Sequence, residues 1–199
     1  MFAPLPQAPA RAATEPVRIL AFGDSLTAGY GLPQEDGFVP QLQQALDKMG
    51  REAVVINGGV SGDTTAGGVA RLDWMLADAP DIVILELGAN DALRGLDPAE
   101  ARRNLETIIM RIKETGAEIL LTGMLAPRNM GEEYARAFDA MYPDLAATHD
   151  IALYPFFLEG VATRPELNQA DGLHPTREGV ATIVAGILPH VTELLDSQP

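Results

Sequence analysis

From Val17 onward, short apolar runs alternate with longer stretches in which apolar residues recur every three or four positions. An unbroken apolar run suits a strand covered on both faces, whereas a three-and-four recurrence suits a helix with one buried stripe. The runs predict strands over residues 17–23, 53–57, 82–87, 118–122 and 151–154. Ile82-Val83-Ile84-Leu85 and Ile119-Leu120-Leu121 are apolar at consecutive positions and mark central strands. The periodic stretches predict helices over residues 38–49, 66–76, 98–115, 132–148 and 177–195. The third has a defined start, Asp97-Pro98-Ala99-Glu100, with Asp as cap, Pro in the first turn and Glu able to reach back to the capping amide. Trp74, Met75 and Leu76 read as a packing face of the second. The last carries Val180, Ile183, Val184, Ile187, Leu188, Val191, Leu194 and Leu195 on one stripe, and Pro189 should kink it or break it in two.

Strands alternating with helices predict an α/β fold: a three-layer α/β/α sandwich around a parallel sheet of about five strands, in flavodoxin-like order. Residues 17–199 form the expected single domain, and residues 1–16, rich in Pro and Ala without periodicity, an arm outside it. Ala10-Arg11-Ala12-Ala13 in that arm suits the end of a secretory signal, but the basic start and apolar middle of an intact signal are missing.

Charge and composition narrow the function. Twenty-eight Asp and Glu against 14 Lys and Arg give a formal net charge of −14, which disfavours nucleic acid and anionic membrane as partners. The absence of cysteine removes thiol nucleophiles and thiolate metal sites, and three histidines make a metal cage improbable. No apolar run approaches the roughly 20 residues of a membrane span, so no integral membrane segment is expected.

In a doubly wound sheet, ligands bind beyond the carboxyl ends of the strands. The first strand leads into Gly23-Asp24-Ser25-Leu26 and the second into Asn57-Gly58-Gly59-Val60-Ser61-Gly62-Asp63. The third leads into Gly88-Ala89-Asn90-Asp91, and Asp171-Gly172-Leu173-His174-Pro175 follows the fifth. These residue types suit acyl transfer to a hydroxyl. Serine is a poor nucleophile until a base takes its proton, and imidazole suits that task; Ser25 and His174 fit the two roles. Asp171 is spaced to hold the imidazole in one tautomer. The backbone N–H groups of Ser25 and Gly62 and the Asn90 amide are candidate donors to the oxyanion of the tetrahedral intermediate. Asp24, Asp63 and Asp91 read as caps or turn stabilisers, and His149 and His190 as structural.

In order and spacing these segments resemble the four blocks of the SGNH hydrolases, also called the GDSL esterase/lipase family, and the resemblance spans nearly all of residues 17–195. Within the family the chain is most similar to small bacterial multifunctional esterases of the acyl-CoA thioesterase I, lysophospholipase L1 and arylesterase type. The resemblance implies a nucleophile at Ser25, oxyanion donors at Gly62 and Asn90 beside the Ser25 amide, a base at His174 oriented by Asp171, and no cofactor. It further implies a small-molecule acyl ester as substrate and export to the periplasm or beyond; a monomer is expected. Ala89 departs from the pattern, since many members carry a second glycine there. Residues 124–131, Met124 to Gly131, resemble the substrate-lining loop of the small esterases.

Other readings fit less well. A carbohydrate O-acetyl esterase would use the same groups. A flavin carrier would want a first loop richer in Ser and Thr than Asp24-Ser25-Leu26-Thr27-Ala28-Gly29, and a phosphoacceptor domain would want a lysine at a later strand end. Gly59-Val60-Ser61-Gly62-Asp63 lacks the last glycine of the α/β-hydrolase elbow.

Overall fold

Each apolar run forms a strand in the computed structural model, which describes residues 15–198. Apart from Glu15 and Pro16, the expected arm and its signal-like stretch lie outside the described residues. The strands are β1 (Val17–Gly23), β2 (Ala53–Gly59), β3 (Ile82–Glu86), β4 (Glu118–Thr122) and β5 (Ala152–Tyr154). They form one parallel sheet in the order β2-β1-β3-β4-β5, the winding expected of the flavodoxin-like class. All of β3 is buried, as its consecutive apolar residues require of a strand covered on both faces.

The helices are α1 (Ser25–Ala28), α2 (Phe38–Lys48), α3 (Thr65–Leu76), α4 (Ala89–Leu93), α5 (Pro98–Thr115), α6 (Glu132–His149) and α7 (Arg177–Ser197). Right-handed crossovers decide their sides. The chain moves outward from β1 to β2 through α2, then in the opposite direction through α3, α5 and α6, so α2 lies opposite the other three. Packing agrees: α2 meets α7, while α3 meets α5 and α5 meets α6.

Three local expectations change. Pro189 does not divide the last helix, which runs unbroken for 21 residues. Buried Val184 and Ile187 before the proline and Val191 and Leu194 after it keep one stripe on the core, and their burial offsets the missing N–H bond. Trp74 is 80% exposed rather than packed. It stands roughly 200° around α3 from buried Leu72, on the solvent side. Asp97 Oδ1 caps α5 by accepting from the Ala99 N–H at 2.9 Å, but Glu100 lies 3.8 Å from Arg103 instead of reaching back. Among the described residues α7 is the one helix long and apolar enough, by length and composition, to cross a membrane. Its buried residues pack in the fold, where α7 contacts α2, β4 and β5.

Candidate active site

The site grows from two glycine-dependent turns at the strand ends. At the end of β1, a Cβ on Gly23 would run into Thr27 Oγ1 and Glu86 Oε2, so only glycine lets α1 start this close to β3. Asp24 caps α1, its Oδ1 accepting from the Leu26 N–H at 3.0 Å. Ser25 is the first residue of that helix, where a backbone N–H has no intrahelical acceptor. Beyond β2 the chain turns at Gly62, whose φ of +84° favours glycine.

Asn90, in α4, links the two turns. Its Nδ2 donates to Asp24 Oδ2 and to the Asp63 carbonyl, each at 2.9 Å. One amide therefore ties the neighbour of Ser25 to the neighbour of Gly62; Ser25 and Asn90 line one cavity, and Gly62 is linked to them through Asp63. Both Asn90 hydrogens already have acceptors, so donation to an oxyanion requires one of these bonds to be shared or exchanged.

The base arrives on a separate loop. An isolated antiparallel bridge between Asn168 and Pro175 closes it, and the Gln169 N–H donates to the His174 carbonyl at 2.7 Å. The Gln169 side-chain amide donates to the carbonyls of Tyr30 at 2.8 Å and Pro175 at 2.9 Å, pinning the loop to the segment after α1. Asp171 Oδ1 accepts the N–H groups of Leu173 at 2.9 Å and His174 at 3.0 Å. Its Oδ2 lies 2.7 Å from His174 Nδ1, and His174 Nε2 lies 2.9 Å from Ser25 Oγ. The consistent proton arrangement has Nδ1–H donating to the carboxylate and Nε2 accepting from the serine hydroxyl. The His174 backbone N–H, then its ring and the Leu173 N–H, lower the Asp171 pKa from 3.8 to about 2. The Tyr30 ring covers the imidazole, with centroids 4.5 Å apart.

Ser25, Asn90 and His174 open into a cavity of about 340 Å³ walled by Leu26, Leu93, Met124, Pro127, Leu158 and Leu173. The first half of the 124–131 loop lines it, whereas Arg128 turns away to Asp139 at 2.7 Å. Among the described residues no group of three or more His, Asp or Glu is arranged to hold a metal ion.

Residues 21–181 match the model of the GDSL-like lipase/acylhydrolase family. The chain belongs to that family. It is 45% identical over 162 residues to an arylesterase of Vibrio mimicus, covering 81% of each chain. It is 41% identical over 178 residues to the esterase TesA of Pseudomonas aeruginosa, covering 89% of each. Among solved structures, the psychrotrophic esterase EstA from Pseudoalteromonas sp. superposes with a TM-score of 0.86 at 32% identity, over 90% of this chain and 99% of that one.

Beneath the rim of this GDSL-family hydrolase lies a feature that the spacing of motifs did not reveal. Asp24 and Glu86 are both fully buried. Glu86 Oε2 accepts from Thr27 Oγ1 at 2.8 Å and from the Asp24 N–H at 3.2 Å, while Oε1 has no partner. Burial raises the Asp24 pKa from 3.8 to about 6. Burial, reinforced by the neighbouring Asp24 charge, raises that of Glu86 well above 4.5. The available signal was an acid ending the apolar run Ile82-Val83-Ile84-Leu85, because charged groups are seldom buried without a purpose. The remaining acids act as scaffolding: Asp91 accepts from the Thr65 N–H at 2.9 Å and Oγ1 at 2.7 Å, and Asp63 pairs with Arg71 at 2.6 Å. His149 lies 3.3 Å from Glu106, and His190 packs against the Tyr154 ring, away from the site.

Proposed function

We propose that this family member hydrolyses carboxylic esters of short to medium acyl chains, and acyl thioesters at the same site, through an acyl-enzyme on Ser25. The unbroken path from Asp171 to His174 to Ser25, at 2.7 and 2.9 Å, carries the reading. Ser25 Oγ attacks the acyl carbon as its proton passes to His174 Nε2. Asp171 stabilises the imidazolium through Nδ1–H, and the N–H groups of Ser25 and Gly62, with Asn90, take the oxyanion charge. Collapse expels the alcohol or thiol, which leaves with the proton from Nε2. Water then repeats the attack, with His174 again as base, and releases the acid and free Ser25.

The acyl-length range is supported by the cavity. Its walls are mostly apolar, and 340 Å³ is near the small end of the roughly 300–1,000 Å³ common for ligand pockets. The test is hydrolysis of p-nitrophenyl esters from acetate to palmitate by the unaltered protein and by Ser25→Ala. The expected loss on substitution is roughly 10⁶-fold in turnover. Full activity in Ser25→Ala would refute the mechanism, and strict acetate preference would favour a carbohydrate O-acetyl esterase. Export to the periplasm belongs to the same reading and is checked by cell fractionation.

A further inference from the structure

Arg71 touches neither the serine nor the histidine, yet it joins the segments that carry the candidate oxyanion donors. It projects from the middle of α3. Its Nε donates to Asp63 Oδ2 at 2.6 Å, Nη1 to the Gly58 carbonyl at 2.7 Å and Nη2 to the Gly23 carbonyl at 2.8 Å. The guanidinium carbon lies 4.1 Å from the Phe22 ring centroid, and the side chain is only 18% exposed.

Each acceptor belongs to a different part of the rim. Gly23 immediately precedes Asp24 and Ser25. Gly58 lies at the end of β2, just before the turn that contains Gly62. Asp63 follows Gly62, and its carbonyl is also an anchor of Asn90. β1 and β2 make their last register pair at Gly23 and Gly59, and the ladder closes with the Val60 N–H donating to the Gly23 carbonyl at 3.0 Å; Asp24 to Ser25 on one side and Ser61 to Asp63 on the other lie beyond that last bond. The guanidinium shares the Gly23 carbonyl with Val60, holds the Gly58 carbonyl beside it, and reaches past the ladder to Asp63. A simple stabilising ion pair would require only Asp63; here the other two arms of the fork reach main-chain carbonyls at the ends of both paired strands, tying the Asp63 turn to them.

We infer that Arg71 is a positioning residue of the hydrolytic site, setting the spacing of the Gly62 N–H and Asn90 amide from Ser25 through Asp63, Gly58 and Gly23. The inference rests on the serine-hydrolase reading above. A planar fork with three directed bonds does what an ammonium point charge cannot. Misplacing reacting groups by about 1 Å can cost roughly 10²-fold in rate, so the effect should appear in turnover rather than in ground-state binding.

The experiment compares Arg71→Ala and Arg71→Lys with the unaltered protein and Ser25→Ala. It records kcat and KM for p-nitrophenyl butyrate, the rate of serine phosphonylation by a p-nitrophenyl phosphonate, and thermal unfolding. Arg71→Ala should lose roughly 10²-fold in kcat with KM within about threefold, and phosphonylation should slow in proportion. Arg71→Lys should remain roughly tenfold low despite its charge. Guanidinium chloride, far below denaturing concentrations, should restore part of the turnover of Arg71→Ala and none of that of Ser25→Ala. Undiminished kcat in a folded Arg71→Ala would overturn the inference, as would a loss that guanidinium leaves unchanged. If Arg71→Ala does not fold, full turnover in folded Arg71→Lys overturns it equally. Activity surviving Ser25→Ala would sink the serine reading itself; normal dependence on Ser25 with undiminished turnover in Arg71→Ala would sink this inference alone.

Discussion

Asp24 and Asp171 carry the same side chain and both lie beside the Ser25–His174 pair, yet their environments drive them in opposite directions. Asp24 is fully buried, and desolvation raises its pKa to about 6. Asp171 is 38% exposed and accepts two backbone N–H groups and an imidazole, which lower its pKa to about 2. The exposed acid can hold its charge at any pH where an imidazole could act as base. The buried acid is a scaffold, capping α1 with one oxygen and holding Asn90 with the other. Proximity to the reacting groups thus does not determine an acid's role; desolvation and the number of donors facing it do.

The sharpest way to break that contrast is Asp171→Asn. Asn preserves shape but removes the charge and favours the wrong imidazole tautomer, so kcat should fall roughly 10⁴-fold with little change in folding. A loss below tenfold in p-nitrophenyl ester hydrolysis would show that Asp171 is not the orienting acid. Asp24→Asn should have a smaller effect of a different kind. Its amide can still cap Leu26 through oxygen but turns N–H groups toward the Asn90 N–H groups. Turnover should drop by no more than the roughly 10²–10³-fold expected for losing one oxyanion donor. Combining Asp24→Asn with Asn90→Ala should then cost little beyond either alone, because both act through one donor. Fully multiplicative losses would separate Asp24 from Asn90.

The smallest expected effect concerns stability. Glu86 has a folded pKa above its unfolded value, so its neutral form favours folding at low pH, and that contribution is lost as pH rises from about 4.5 through the folded pKa. Asp24 behaves in the same direction between about 4 and about 6. Glu86→Gln removes one of these penalties, so its melting temperature relative to the unaltered protein should increase between pH 5 and 8. A difference that stays constant across that range would mean that Glu86 ionisation is not coupled to folding.

How much of this was legible before the fold was known differs by element. The central strands β1, β3 and β4 were readable because a strand buried on both faces must be apolar at successive positions; the edge strands β2 and β5, only partly buried, were readable as short apolar runs bounded by polar or turn residues. Ser25, Gly62 and Asn90 stood out as candidates because they sit in short motifs at strand ends, and Asp171 and His174 because an acid stands three residues before a histidine in a loop. The short helices α1 and α4, four and five residues long, were not readable, since neither is long enough to repeat the 3.6-residue period. Of the two outcomes expected at Pro189, a kink or a break, the break does not occur, because propensity predicts the isolated helix whereas burial on both sides decides the packed one.

By itself, the order of residues determined the fold class, the winding and the candidate groups for hydrolysis, because backbone periodicity and local turn chemistry are properties of neighbours along the chain. Only the tertiary structure decided that Arg71 reaches Gly23, 48 residues away, and that Asn90 bridges Asp24 and Asp63. Only it decided that Asp24 and Glu86 are enclosed while Asp171 faces solvent. Desolvation and long-range hydrogen bonds depend on what packs around a group, and that environment forms only when distant segments meet.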